Sequence, residues 1–381
     1  MFGVYIHWPF CLSKCPYCDF NSHVSDHIDQ ESWRQAYQKE IEYTASMVPD
    51  HIVTSIYFGG GTPSLMEPKT VEYILEQVSK NWRHANNVEI TLEANPTSIE
   101  QQKFQDFREA GINRVSVGVQ ALNDKDLKFL GRQHSSTEAK KALEVAYNTF
   151  DRVSFDLIYA RPDQTKTEWE KELHEALSLA KAGHLSLYQL TIEPGTAFET
   201  MYQRKEFSIP NDELGGELYE MTGDICAKYG LENYEISNYA QKGEESRHNL
   251  TYWQYEDYAG IGPGAHGRLT VNNEKLAMRT HRAPKIWLEN VSKNKHAYHP
   301  FTKIDQQERT IECLLMGLRT EEGIPLKKLE KEGGDKWDVV LDKKKLEELR
   351  RAGYISQTQD SLKLSNQGRQ RLNKVLEQII R

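Results

Sequence analysis

Three cysteines, Cys11, Cys15 and Cys18, fall close together in the stretch "HWPFCLSKCPYCDF", and only Cys226 and Cys313 follow. An odd number of cysteines with one tight triplet is a poor disulfide framework and a good metal-binding pattern. Thiolates favour zinc, copper or iron–sulfur clusters. Structural zinc usually takes four protein ligands, commonly in two pairs. Here there is one triplet and no second pair, although His7 and His23 are close enough in sequence to complete a zinc site. A cubane of four irons normally uses four cysteines. Three leave one iron open to a small molecule, and residue 20, where a fourth cysteine could stand, is Phe20. Cys226 and Cys313 lie in apolar, helix-like patterns and read as small buried hydrophobes.

Something must hold that triplet in place. "GVYIHW" reads as a first strand, followed by the cysteine loop and a helix from about Glu31 with Trp33, Tyr37 and Ile41 on one stripe. "IVTSIYF", "VEITLEA", "NRVSVGV", "RVSFDLIY" and "LSLYQLTI" read as five more strands, each followed by a helical pattern. The helix after the third strand is expected to open with Ser98 and Gln101 at capping-box spacing. Six strand–helix units in a row imply a parallel sheet with helices outside. A closed eight-stranded barrel needs two more, so the α/β fold expected is a partial, open (β/α)6 barrel with its functional loops at the carboxyl ends of the strands. Polar residues stand at those ends. "YFGGGTP" carries Gly60, Gly61 and Thr62, a loop whose backbone N–H groups can approach a charged ligand closely. Glu93, Gln120 and Asp156 mark the third, fourth and fifth strands, and Arg132 can fork onto a carboxylate.

The barrel is expected to span residues 1–234. Residues 235–300, with the aromatic and glycine-rich "HNLTYWQYEDYAGIGPGAHG", are expected to form a mixed connecting region that packs on it. Residues 301–381 read as a helical unit ending in helix, hairpin and helix, a winged-helix-like order that suits protein contacts more than DNA. A formal charge of −8 argues against a general nucleic-acid binder. Mean hydropathy is −0.70, and no apolar run nears the ~20 residues of a membrane span. The start lacks the basic-then-apolar order of a signal peptide, so the chain is expected to be cytoplasmic.

C-x3-C-x2-C just after a first strand, with Tyr17 before the third cysteine, resembles the signature of the radical S-adenosylmethionine (SAM) superfamily, and the likeness extends over nearly the whole chain. The resemblance implies a [4Fe–4S] cluster on Cys11, Cys15 and Cys18, SAM chelating the open iron through its amino and carboxylate groups, and a reductant for the cluster. It assigns the SAM amino group to the loop of Gly60, Gly61 and Thr62, and further SAM contacts to Tyr5, Tyr17, Glu93, Gln120, Arg132, Asp156 and Ile261. One departure stands out: Ala160-Arg161-Pro162 follows the fifth strand where related sequences often have Gly-Leu-Pro.

Within the superfamily the chain resembles two groups, the oxygen-independent coproporphyrinogen III oxidases and the HemW-type heme chaperones. The oxidases typically carry C-x3-C-x2-C-x-C and an amino-terminal arm. Phe20 replaces the last cysteine, and a strand starting near residue 3 leaves no room for the arm. Both features point to the chaperones, as does H-N-x-x-Y-W in "RHNLTYW", which that group links to heme. The implied function is to bind heme and pass it to apo-hemoproteins, with cluster and SAM supporting transfer or the pairing of two copies, and without the oxidase activity. His248 is the implied heme residue and His266 a second candidate ligand, imidazole being the commonest axial ligand of heme iron. Radical decarboxylation of coproporphyrinogen III is the alternative, and radical chemistry on an RNA or peptide is a third reading.

Overall fold

The computed structural model describes residues 1–25, 28–181 and 183–381. Among them a twelve-stranded sheet runs through the molecule. Its strands of five residues or more are β1 (Phe2–Trp8), β2 (Ile52–Gly60), β3 (Arg83–Ala94), β4 (Arg114–Gln120), β5 (Arg152–Tyr159), β6 (His184–Gln189), β7 (Asp257–Ile261), β8 (His266–Val271) and β9 (Glu274–Arg279). β1 to β6 lie side by side in chain order and pair in parallel. The helices Gln30–Met47, Pro68–Asn81, Phe104–Glu109, Ser136–Thr149, Lys166–Leu179 and Asp212–Lys228 follow the six strands in turn. This is the α/β alternation expected from the sequence.

Parallel strands covered by helices on both faces read as unbroken apolar runs. These strands alternate, because only one face is covered. Val4, Ile6 and Trp8 of β1, Ile56 and Phe58 of β2, and Val115, Val117 and Val119 of β4 are fully buried against Tyr37, Ile41, Ile74, Val78 and Phe107 from the helices. Each such side chain contributes about 1.5–3 kcal/mol on burial. The other face carries Tyr5, His7, Ser55, Tyr57, Glu89, Thr91, Glu93, Arg114, Ser116, Ser154, Asp156 and His184, which the two-residue period of a strand brings to one side. It is a polar interior, and its groups pair with one another. Glu89 holds Arg152, and Ser154 and His184 share a hydrogen bond of 2.6 Å.

Residues 235–300 supply strands to both edges of the sheet. β7 pairs in parallel with β1, and β8 and β9 continue outward antiparallel. At the far edge Asn238–Ala240 pairs antiparallel with β6. Fully buried Glu40 ties the β7 side to the first helix, accepting from Gly262 N (2.8 Å), Ala297 N (2.9 Å) and Trp287 Nε1 (3.0 Å). Beyond residue 301 a second core gathers Leu314, Leu318, Leu329, Leu362, Leu376 and Ile379 around helices and a three-stranded sheet. No helix among the described residues is long and apolar enough to cross a membrane.

One cap differs from expectation. The helix Ser98–Gln101 is capped by Thr97, whose side chain accepts from Glu100 N, and not by Ser98. Glu100 decides this. Its carboxylate accepts from Asn95 N (2.7 Å) and from the Ser64 hydroxyl, so it must point back toward the strand end. Gln101 donates to the Pro96 and Glu138 carbonyls.

Candidate functional site

The cysteine loop leaves β1 as a short extended segment, Phe10–Cys11, that pairs in parallel with His23–Val24. The turn between them is fastened at several points. Asn21 Nδ2 donates to the carbonyls of Pro263 and Arg282 (2.9 Å each), His23 N to Pro9 O (2.7 Å), and Phe198 N to Pro16 O (2.9 Å). Cys11, Cys15 and Cys18 then line one cleft, together with residues from the ends of β2 to β5. Its unfilled space is about 1030 Å3, open mouth included.

Gly60, Gly61 and Thr62 form the wall beside Cys11. Their amides all have protein acceptors: Gly60 N donates to Glu93 Oε2 (3.3 Å), Gly61 N to Trp8 O (2.7 Å) and Thr62 N to Phe10 O (2.8 Å). The loop therefore does not offer these N–H groups to a ligand, as its glycines had suggested. The glycines instead permit close approach. A Cβ on Gly61 would stand 2.6 Å from Phe10 O and 3.0 Å from Cys11 Sγ. Gly60 has φ +114°, in the left-handed region that favours glycine. Thr62 Oγ1 donates to Cys11 Sγ at 3.5 Å.

The opposite wall is ionic. Arg132 donates to Cys15 Sγ (3.4 Å), to Gly118 O (2.9 Å) and to Asn95 Oδ1, while its Nε is buried without a partner. Burial works against its charge, but Tyr17 and Cys15 outweigh that and hold it above its usual range. Burial, with Asp156 nearby, pushes the Glu93 carboxyl up to about 7. Burial likewise pushes Asp156 up to about 6. Burial raises the thiols of Cys11 and Cys18, against which Thr62 stabilises the thiolate of Cys11 and the Phe20 backbone N–H that of Cys18. Gln120 closes β4 with φ +72°, a strained conformation for a residue with a Cβ.

Cys11, Cys15, Cys18, Tyr17, Gly60, Gly61, Thr62, Glu93, Gln120, Arg132 and Asp156 thus share one cleft. Tyr5, Ile261 and His248 do not line it. Tyr5 lies deeper, its hydroxyl 3.0 Å from His7 Nδ1. Ile261 is fully buried in the helix-covered core. His248 is 1 % exposed near the amino-terminal ends of β1 and β2, bonded to Ser55 through Nδ1 (2.9 Å) and to the Tyr252 hydroxyl through Nε2. His266 is exposed on β8. Arg161, in the departing Ala160-Arg161-Pro162 segment, is 2 % exposed and pairs with Asp126 (2.9 Å) and Glu172, which makes it a brace between helices. Ala160 beside it has φ +55°, the conformation that a glycine adopts at no cost.

Asn95, Glu100 and Ser22 also line the cleft and were not singled out from the sequence. Asn95 bridges the walls, accepting from Arg132 and donating to Thr62 Oγ1 (3.3 Å). Its one signal was its place between Glu93 and Pro96 at a strand end.

Among the described residues no three His, Cys, Asp or Glu side chains close on a single-ion position. Three thiols around one cleft, with a hydroxyl and a guanidinium donating to two of them and an unpartnered buried Nε beside them, fit a larger anionic group. The chain matches the model of the radical SAM superfamily over residues 5–176 and that of the HemN C-terminal domain over residues 304–371. It is 34% identical to the heme chaperone HemW of Haemophilus influenzae, covering 98% of this chain and 97% of that protein. It is 33% identical to HemW of Escherichia coli over the same shares. It is 36% identical to the mitochondrial radical S-adenosyl methionine domain-containing protein 1 of Dictyostelium discoideum, over 100% of this chain and 94% of that protein. The coproporphyrinogen III oxidase HemN of Escherichia coli shares the fold, with a TM-score of 0.81 at 19% identity over 99% of this chain and 89% of that one. The chain belongs to the radical SAM superfamily, whose members hold a [4Fe–4S] cluster and SAM, and within it to the HemW family.

Proposed function

We propose that the protein is a heme chaperone that binds a [4Fe–4S] cluster, SAM and heme, and delivers heme to apo-hemoproteins. Cys11, Cys15 and Cys18 hold the cluster. With its amides committed and Thr62 O accepting from Leu65 N (3.0 Å), the loop meets the cationic amino group of SAM through the carbonyl oxygens of its glycines. Arg132 and Gln120 take the carboxylate. Glu93 and Asp156 accept from the ribose hydroxyls, and Tyr17 closes the pocket beside the cluster. The bound pair supplies one-electron chemistry fed by an external reductant, and the chain's own residues orient it and keep it dry.

The observation that carries the carrier reading over the decarboxylase is Phe20. It stands where the oxidases have a further cysteine, and it is 59 % exposed. The names of the HemW relatives support the same reading. Anaerobically purified protein is expected to bind heme and to load an apo-hemoprotein. Steady formation of protoporphyrinogen from coproporphyrinogen III, with SAM and reductant, would establish the oxidase instead. The axial ligand is assigned by titrating His248→Ala and His266→Ala. To reach iron, His248 must release Ser55 or Tyr252, whereas His266 is already exposed. Heme affinity is expected to fall severalfold in His248→Ala, and an unchanged affinity removes His248 from the heme site.

A further inference from the structure

The short helix Arg247–Trp253 closes the polar interior at the end opposite the cysteines. Its first two amides donate to Glu89, Arg247 N to Oε2 (3.2 Å) and His248 N to Oε1 (3.1 Å). Glu89 is itself buried and paired with Arg152. The His248 side chain sits close beside Gly3, where a Cβ would stand 3.3 Å from the imidazole and 3.2 Å from Ser55 Oγ, so that these side chains would have to give by a few tenths of an ångström. Ser55 and Tyr252 hold the two ring nitrogens from opposite sides, which fixes the plane of the ring.

That plane supports the next layer. The Tyr57 ring stacks on His248 with centroids 4.9 Å apart and an interplanar angle of 18°. Tyr5 flanks both rings, at 6.3 Å from Tyr57 and 6.2 Å from His248. The Tyr57 hydroxyl donates to Glu93 Oε1 (2.8 Å), whose partner oxygen accepts from Gly60 N (3.3 Å). An unbroken path of contacts thus runs from the floor to two walls of the cleft. The same helix reaches the carboxyl-terminal unit, where the Arg319 guanidinium lies 4.6 Å over the Trp253 ring.

We propose that His248 is a positioning residue for the SAM pocket: through Tyr57 it sets the orientation of Glu93 against the Gly60 loop. The imidazole does this as a neutral ring, because burial pushes its pKa down to about 3. A phenyl ring could stack in its place but could not be locked by Ser55 and Tyr252. The role rests on the reading of the cleft as the SAM site and is independent of any ligation of heme.

The test is SAM affinity, measured by equilibrium dialysis on anaerobically reconstituted protein with iron and sulfide content determined in parallel. His248→Ala is expected to raise the SAM dissociation constant about fivefold or more while iron content stays at the wild-type level. Tyr57→Phe, which keeps the ring and removes only the hydroxyl facing Glu93, is expected to weaken SAM by a similar factor and serves if His248→Ala does not fold. In a Glu93→Ala background the His248 substitution is expected to cost nothing more, an outcome that general loosening of the fold would not give. An unchanged SAM affinity in both single variants, or an undiminished His248 effect without Glu93, overturns the proposal. Wild-type protein that carries its cluster and binds no SAM overturns the reading of the cleft and the proposal together.

Discussion

Cys11, Cys15 and Cys18 have different neighbours. Cys11 receives the Thr62 hydroxyl, Cys15 the Arg132 guanidinium, and Cys18 the Phe20 backbone N–H. A thiol must lose its proton to ligate iron, so donors aimed at sulfur favour the ligating form where burial opposes it. Gly61 matters here for its lack of a side chain. Gly61→Ala would drive a methyl group into the Phe10 backbone carbonyl and against Cys11 Sγ, and the loop has to move. Reconstituted Gly61→Ala is expected to retain less than half of the wild-type iron and sulfide at nearly unchanged helix content, and full iron content would refute this placement. The triplet itself was legible because thiolate chemistry leaves few alternatives. Asn95 was not legible, because an amide earns its role only when two walls meet across it.

Strand after strand, "VYIHW", "TSIYF" and "RVSVGV" alternate apolar and polar side chains, and the sheet has one face of each. Six parallel strands were readable from short strand-like runs and the helical patterns between them. β8 and β9 were not. Their turn is Asn272-Asn273, with both residues at positive φ (50° and 65°), a weaker hairpin signal than Asn-Gly. The helix Arg247–Trp253 was missed for a related reason: seven residues are too few to show a period. Its His248 and Tyr252 are nonetheless four apart, the spacing that brings two side chains together on one helical face. The glycine loop shows the converse limit. Composition told that a backbone approaches something closely, and only the pairing of β2 with β1 and β3 tells that its amides face inward.

The molecule as a whole is acidic, but its polar interior decides how it responds to acid. Burial lowers His7 and His134 to about 4 and His248 to about 3. The unfolded chain, with histidines near 6.5, therefore binds more protons than the folded one, and these groups lose stability as pH falls from 6.5 toward 3–4. Glu40 and Glu93, raised to about 7, and Asp156, raised to about 6, work the other way between roughly pH 4 and 7. Below about 4.5 that opposition fades, and Asp257, lowered to about 2, joins the histidines. The urea midpoint of the cluster-free chain is expected to change little between pH 5 and 7 and to drop steeply below about 4.5, at about 1.4 kcal/mol per pH unit for each group still titrating. His248→Gln is expected to flatten that limb, and an equally steep limb in the variant would mean that His248 is not held neutral inside the fold.

The most direct test of the account is electron paramagnetic resonance of the anaerobically reconstituted, dithionite-reduced protein, with and without SAM, alongside metal and sulfide analysis. Four irons and four sulfides per chain are expected, with a reduced-cluster spectrum that shifts on adding SAM and iron that is lost when Cys11, Cys15 or Cys18 is replaced by alanine. Zinc as the sole metal, or a cluster spectrum indifferent to SAM, would contradict it.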